Sequence, residues 1–509
     1  MMAGMRLLPE HCPKENCREI SPGNISGKHL RKISPGNQNK CIVKQSLRKK
    51  SGERNEVCMS ATKAMKKQPI QLSDHFTYGR LIRFTLPSII MMIFTSIYGM
   101  VDGYFVSNYV GAVPFAALNL VMPFIMILSA VGFMFGSGGT ALVSMTLGMG
   151  EREKANEIFS LITYLLIACG AVLGLIGYII APWISRVLGS TDEMLPYAIL
   201  YIRVSMFGIP FFMLQNLFQS FLVTAERPKL GLFVTVLAGC ANMVLDWLLV
   251  GVLGFGLGGA AVATIISEFV GGVIPLVFFW LPNSTILRLG KTHMDVGAVW
   301  KTCTNGSSEF LSNCASSIIG MLYNHQLMKY IGTDGVAAYG VIMYVNFIFV
   351  GIYFGYTMGI APVIGYHYGA GNSDELHSIF EKTIRMMFIV SAALTAAAEL
   401  LAVLLVKIFV GYDAGLMELT VYGFRIYSIA FLFMGFNIFG SGFFTALNNG
   451  AVSAFLSVVR SIGFQLIAIY LLPYLFGANG LWMVAVVSNG LCLILTIAMW
   501  VRYRKVYHY

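Results

Sequence analysis

The sequence predicts an all-α polytopic membrane protein: twelve transmembrane helices in two six-helix lobes, related by an axis along the membrane normal. Three observations predict it. Of 509 residues, 57% are hydrophobic and only 12% charged, against about a quarter charged in a soluble domain. The charge is missing from whole stretches instead of being thinned evenly, as in helices that face lipid. The second half of the chain also repeats the first at an offset of 221 residues.

The chain begins with a polar, basic tail, residues 1–72, carrying Arg48-Lys49-Lys50 and Lys66-Lys67. It repeats Ile20-Ser21-Pro22-Gly23-Asn24 at Ile33-Ser34-Pro35-Gly36-Asn37 and lacks the apolar core of a secretory signal. The expectation is either disorder or a start assigned upstream of the true one at Met59 or Met65. Four of the nine cysteines (Cys12, Cys17, Cys41, Cys58) lie there. Others, such as Cys169, Cys240 and Cys492, stand singly in apolar runs, so neither a disulfide framework nor a zinc site is expected. The net charge of +11 sits in the tail and at the ends of apolar runs. It therefore reports membrane orientation and not nucleic-acid binding.

An amino-terminal lobe follows over 73–282, with apolar runs at 83–108, 115–147, 158–183, 198–224, 231–252 and 258–282. A cytoplasmic linker is expected over 283–301. The carboxyl-terminal lobe, 302–509, contains runs at 303–331, 336–367, 384–410, 417–446, 451–475 and 480–501. Each can cross ~30 Å of hydrocarbon at about 1.5 Å per residue, and the longer ones must tilt or protrude. Alternate connections carry Arg152 and Lys154, Arg227 and Lys229, Arg288, Lys291 and Lys301, then Lys382 and Arg385, and finally Arg502, Arg504 and Lys505. The intervening loops carry Asp192, Glu193, Asp334 and Asp413. Both termini are therefore expected in the cytoplasm.

The repeat aligns Gly111 with Gly332, Gly148 and Gly150 with Gly369 and Gly371, Phe159 with Phe380, and Gly256 with Gly477. An even number of spans per repeat gives both halves one orientation and leaves a cleft between them. Such lobes suit alternating access by rocking. A channel suits them less, because no filter sequence or ring of like charges is present.

A charge at the bilayer centre costs about 2.5–3.5 kcal/mol on insertion scales, so each asks for a reason. Asp102 in run one, Asn242 and Asp246 one turn apart in run five, and Thr264 in run six reach similar depth in the amino-terminal lobe. Oxygen ligands without thiols suit a hard monovalent cation such as Na⁺, or a proton shared between the two carboxylates. The alternative is that Asp102 caps the outer end of its helix while Asn242 and Asp246 bond to backbone. Pro87, inside run one, removes a backbone hydrogen bond and could act as a hinge or a static kink. Glu268 could face the cleft or pair within its lobe. Glu309 is expected near the cytoplasmic surface, where a carboxylate is cheap. Arg203 and Arg425 read as snorkelling or anchoring residues, His325 and His367 as proton relays or local hydrogen-bonders, and Glu399 has no evident partner. With 36 Phe, 24 Tyr and 28 Met, the cleft can be aromatic and thioether-rich, adaptable to bulky cations. Phe211, Phe212, Met213, Gln215, Asn216, Glu268, Tyr344 and Asn346 are its candidate lining.

Over about Leu81 to Tyr503 the chain resembles the multidrug and toxic compound extrusion (MATE) family. The resemblance rests on Pro87 followed by Asp102, Gly111 with Ala116-Ala117, the Gly148-x-Gly150 turn, Asn242-x-x-x-Asp246, and Thr264. It implies a secondary antiporter that exports small organic cations and drugs against H⁺ or Na⁺, needs no other cofactor and confers antibiotic resistance. The implied setting is a multi-pass protein of the bacterial inner membrane, surrounded by lipid, expected as a monomer, with no enzymatic activity and no nucleic-acid partner. In the branch with its ion site in the amino-terminal lobe, the residues matching Asp102, Asn242, Asp246 and Thr264 form that site. The second-half counterpart of Asp102 falls at Tyr323 or Asn324 and that of Asp246 at Ile467, while run ten offers Asn437. The chain therefore looks like that branch, near the MepA-like bacterial exporters. Glu309 stands after Ser307-Ser308 where many relatives have a proline, which leaves the bend of helix 7 open.

Three other readings fit the sequence less well. A flippase for a lipid-linked or amphiphilic substrate would need a cleft rich in Arg and Lys. A major-facilitator transporter would need a basic signature where Glu151 and Glu153 stand. A receptor or scaffold would not need convergent carboxylates.

Overall fold

The computed structural model describes residues 70–509. The tail's cysteines, its repeated pentapeptide and the two internal methionines lie outside the described residues. From Tyr78 onward the chain is a succession of helices. Six make the first lobe: α1 (Tyr78–Tyr109), α2 (Ala112–Gly148), α3 (Arg152–Val187), α4 (Leu195–Thr224), α5 (Pro228–Asp246, continued by a π-helical turn Trp247–Val252) and α6 (Gly256–Trp280). The second lobe follows with α7 (Val296–Tyr330), α8 (Thr333–Gly369) and α9 (Ser373–Val410). Its α10 is broken into Ala414–Ser428 and Phe431–Ala446, with a 49° bend between them. Helix α11 runs from Gly450 to Phe476 with a π-helical stretch at Val459–Gly463, and α12 spans Ala478–Tyr507. Ten of these helices are long and apolar enough to cross a membrane, and the bent α10 makes an eleventh. The twelfth, α7, is 35 residues long but carries Lys301, Asn305, Ser307, Ser308, Glu309 and Asn313, and these dilute its hydropathy.

Loops 149–151, 225–227, 281–295, 370–372 and 447–449 share one side with both described ends of the chain. Arg152, Arg227 and Arg288 lie here, and the side is called the basic face below. The linker occupies only 281–295. Asp295 caps α7 by accepting from the Ala298 N–H at 3.0 Å, so 296–301, expected as linker, are helix. The linker is pinned along α3: Asn156 Oδ1 accepts from the Arg288 N–H (2.8 Å) and Ser160 Oγ from the Gly290 N–H (3.0 Å).

The repeat is visible in backbone, core and lobe contact alike. Gly111 and Gly332 both take positive φ (106° and 88°), as do Gly150 and Gly371 (84° and 66°) and Gly256 and Gly477 (58° and 60°). In the first lobe's core Phe159 meets Phe279 edge-on at 4.9 Å; in the second, Phe380 meets Trp500 edge-on at 5.4 Å. Phe218 and Phe439 occupy equivalent places beside them.

The lobes touch through glycines, which let helix backbones approach where the hydrophobic effect between helices is weak. A Cβ on Gly148 would lie 2.0 Å from the Tyr366 carbonyl oxygen, and one on Gly369 would lie 2.0 Å from that of Met145. Met145 and Tyr366 are themselves repeat partners, so each lobe offers the other the same patch, as a two-fold axis requires. The α2–α7 crossing, where Gly138 meets Thr302 and Gly306 meets Met134, is likewise matched by α8–α1, where Gly359 meets Thr85 and Gly355 meets Ser88-Ile89. These crossings lie within about 21 Å of the basic end of their helices. The lobes are thus joined over their basic halves.

Candidate functional site

Two polar places stand out against this apolar frame. The first is inside the amino-terminal lobe. Asp246 is fully buried at the end of the α-helical part of α5, immediately before its π turn, and Asn242 is buried one turn earlier. A π turn widens the helix and is often found at functional sites. Asp102 on α1 faces Asp246 closely enough for the two carboxyls to interact directly. Glu268 on α6 lies within electrostatic range of Asp102, and Tyr201 on α4 within range of all three.

Burial without satisfaction marks the pocket. Both carboxyl oxygens of Asp246, Oδ1 of Asp102 and Oδ1 of Asn242 are buried with no hydrogen-bond partner. None of the three carboxylates is in an ion pair among the described residues. Buried acceptors left this way cost about 1–3 kcal/mol each, more when charged. The Thr264 hydroxyl donates to the Ala260 carbonyl at 3.0 Å, which leaves its oxygen free to accept. Among the described residues no three His, Cys, Asp or Glu side chains are arranged around a metal.

The second place is the narrow cavity between the lobes. Its walls come from α1, α2 and α4 on one side and α7, α8 and α10 on the other, with Asn216, Gln219, Thr140 and Thr445 among its polar residues. Of the eight residues expected to line the cleft, only Asn216 is in the wall of this cavity. Phe211 packs edge-on against Phe269 at 5.0 Å. Met213 is buried against Gly132 and Gly170 inside its lobe, and Gln215 lies against Gly271. Glu268 belongs to the Asp102 pocket, and Tyr344 stacks on Phe409 at 5.7 Å. Phe212 and Asn346 are absent from the cavity wall too. The error has a geometric cause: residues 211–216 cover more than one turn of α4, and only one stripe of that turn faces the partner lobe.

Glu309 also moves. It stands about 20 Å along α7 from Val296, and its side chain lines the interlobe cavity, not the cytoplasmic surface. The expectation failed because α7 begins with two polar turns that do not look like a helix end. Arg460, in the π-helical stretch of α11, escaped attention in the sequence although an arginine amid run 451–475 is a plain signal. It lies within electrostatic range of Glu309.

A third feature closes the basic face. The segment before α1 spans both lobes: the Leu72 N–H donates to Glu226 Oε1 (2.7 Å) in the α4–α5 loop, and the Phe76 N–H donates to Glu375 Oε1 (2.8 Å) at the start of α9. His75 pairs with the other Glu375 oxygen, and Lys382 Nζ donates to the Phe76 carbonyl (2.7 Å). Burial pushes the Glu226 carboxyl above the usual range, while the Leu72 N–H pulls it back. On the symmetry-related side Asn448 accepts from Asn305 Nδ2 (2.6 Å) and donates to the Ala141 carbonyl (3.0 Å). Nothing in the sequence pattern marks these residues, since the bonds join segments up to 307 positions apart.

The remaining candidates settle into packing. Glu399 accepts from Ser428 Oγ (2.5 Å) and lies 4.0 Å from Arg425, tying α9 to α10. Arg203 lies over the Tyr178 ring at 5.2 Å. His325 is exposed, and His367 is buried edge-on to Phe76 with both ring nitrogens unpartnered. Helix α1 continues unbroken across Pro87, where α8 crosses it.

Comparison with known proteins fits this architecture. The MatE family model matches residues 87–248 and again 310–471, one copy per lobe. The multidrug export protein MepA of Staphylococcus haemolyticus (strain JCSC1435) is 23% identical over 432 residues, covering 84% of this chain and 93% of that protein. MepA of Staphylococcus aureus (strain MRSA252) is 22% identical over 426 residues, covering 82% and 91%. Among solved structures, a MATE crystallised in the straight conformation superposes with a TM-score of 0.80 at 21% identity, over 84% of this chain and 96% of that one. A multidrug resistance MATE family transporter of the MOP superfamily in its outward-facing conformation gives 0.79 at 22%, with coverages of 84% and 96%. At these identities the structural likeness is one of fold.

Proposed function

The chain belongs to the MatE family, whose members are transporters and not enzymes, and we propose from that premise that it is a multidrug exporter driven by antiport. It carries small organic cations and drugs out of a bacterial cell in exchange for inward H⁺ or Na⁺. Its basic face lies in the cytoplasm, as the positive-inside rule requires. Both lobes come from one chain, so a monomer suffices. The relatives named multidrug export protein MepA support the export of drugs.

The observation that carries the coupling is the unpartnered pair Asp102 and Asp246 beside Asn242. An entering Na⁺ or proton satisfies those oxygens, and it leaves when the lobes rock and the pocket is exposed to the other side. Thr264 completes the oxygen set, and Pro87, which removes one backbone hydrogen bond from α1, is the hinge through which Asp102 reports its occupancy to the lobe contact. One charge moved through 100 mV supplies about 2.3 kcal/mol, roughly a fifty-fold concentration ratio. The cavity wall offers no Arg or Lys, which speaks against a lipid-pyrophosphate cargo.

The test is ethidium efflux from everted vesicles with a proton or a sodium gradient imposed in turn. Asp246→Asn is expected to abolish gradient-driven efflux while inserting and folding as wild type. Wild-type efflux rates in that variant, or efflux indifferent to both gradients, overturn the reading.

A further inference from the structure

We infer that Glu309 sorts substrates by charge: its carboxylate is the counter-ion for the positive group of a monocation held between the lobes. The inference rests on the exporter reading above and gives that cavity its selectivity. Among the described residues, Glu309 is the single ionisable one lining the cavity. It stands about 20 Å from the basic end of a 35-residue helix, where an uncompensated carboxylate is costly. Yet among the described residues its carboxylate takes part in no hydrogen bond. Its backbone carbonyl alone is used, by Asn313 Nδ2. No described cation comes within ion-pair distance of it. Arg460 is in electrostatic range but is not part of the cavity wall, so it eases the burial of Glu309 without covering the face turned to the cavity.

The rest of the wall defines the ligand. Phe133, Phe354, Met92 and Met358 offer aromatic faces and deformable thioethers, which suit an apolar body bearing a delocalised positive charge. Asn216 and Gln219 can adapt to either polarity. One negative charge matches one positive charge. A dication would leave a buried charge unpaired, and an anion would face Glu309 directly. The Asp102 pocket lies on α1, α5 and α6 of one lobe, and Glu309 on α7 of the other. Ion coupling and charge recognition are therefore assigned to separate carboxylates.

The experiment is dye binding to the purified full chain in nanodiscs, with ethidium as a fixed monocation and Nile red as an uncharged dye. Glu309→Gln is expected to weaken ethidium binding about tenfold or more, equivalent to at least about 1.4 kcal/mol, with Nile red held within about twofold. Glu309→Asp is expected to recover part of the ethidium affinity. Unchanged ethidium binding in the Gln variant overturns the assignment. So does an equal loss of both dyes accompanied by a lower melting temperature, which would make Glu309 only a structural partner of Arg460. Should the Gln variant fail to fold, wild-type protein decides: tetraphenylphosphonium should displace ethidium and the isosteric anion tetraphenylborate should not, and equal displacement overturns the assignment. Wild-type protein with no saturable ethidium binding overturns the exporter reading itself and this assignment with it. Wild-type binding matched by the Gln variant sinks the assignment alone.

Discussion

Replacing Gly306 with alanine should weaken the closure of the basic face without unfolding either lobe. The added Cβ would lie 1.9 Å from the Met134 carbonyl oxygen, whereas a carbon and a carbonyl oxygen sit about 3.3–3.6 Å apart at their closest favourable contact. Helices α2 and α7 must therefore separate by roughly 1.4 Å or more, or distort. Forced overpacking of this kind costs about 1–3 kcal/mol. Because the clash exists only while the lobes are joined, that energy acts on the conformational equilibrium and shifts it about 5- to 150-fold toward the opened basic face. Spin labels on Met149 and Lys505, in a cysteine-free background, measure the shift as a longer-distance population by double electron–electron resonance. Gly320→Ala on the same helix is the control: nothing lies within 4 Å of its Cβ position, so the distances should not change. An unaltered distance distribution in Gly306→Ala would refute the steric argument, and with it the claim that glycine contacts set the closed state.

Three further outcomes follow from other parts of the molecule. Since burial raises the Glu226 carboxyl in the closed form, that form binds a proton more tightly than one with Glu226 in water, so acidification below neutrality favours closure. Glu226→Gln should remove part of the pH dependence of the Met149–Lys505 distance, and identical pH profiles would sink the linkage. Tyr323→Phe leaves the Leu481 carbonyl without the buried donor it now has, at a cost of about 1–3 kcal/mol. A lower melting temperature in detergent checks this, and an unchanged one counts against it. Asn448→Ala deletes both the Asn305 and Ala141 bonds and should enlarge the opened population in the same resonance measurement, which an unaltered distribution would contradict.

The sequence by itself determined the membrane class, the number of spans, the six-plus-six plan and the placement of Asn242 and Asp246 on one helix face. These are properties of spacing: 20-residue apolar runs, a register near 221, and an i, i+4 pair on one helix. Each survives in one dimension because lipid imposes a fixed thickness and a helix a fixed rise. The repeat register also aligned Phe159 with Phe380, which the structure places at equivalent points of the two lobe cores.

Only the tertiary structure decided which face of each helix meets the other lobe. That choice depends on helix rotation, which glycine contacts such as Gly306 with Met134 and Gly148 with Tyr366 fix across the chain. Hence Asn216 reaches the cavity and Met213 does not, and Glu309 turns into it from a helix whose polar start hid its depth. The strap from Leu72 to Glu226 and from Phe76 to Glu375 joins residues far apart in the chain. No local pattern can encode such bonds, because they exist only once both lobes are folded and packed together.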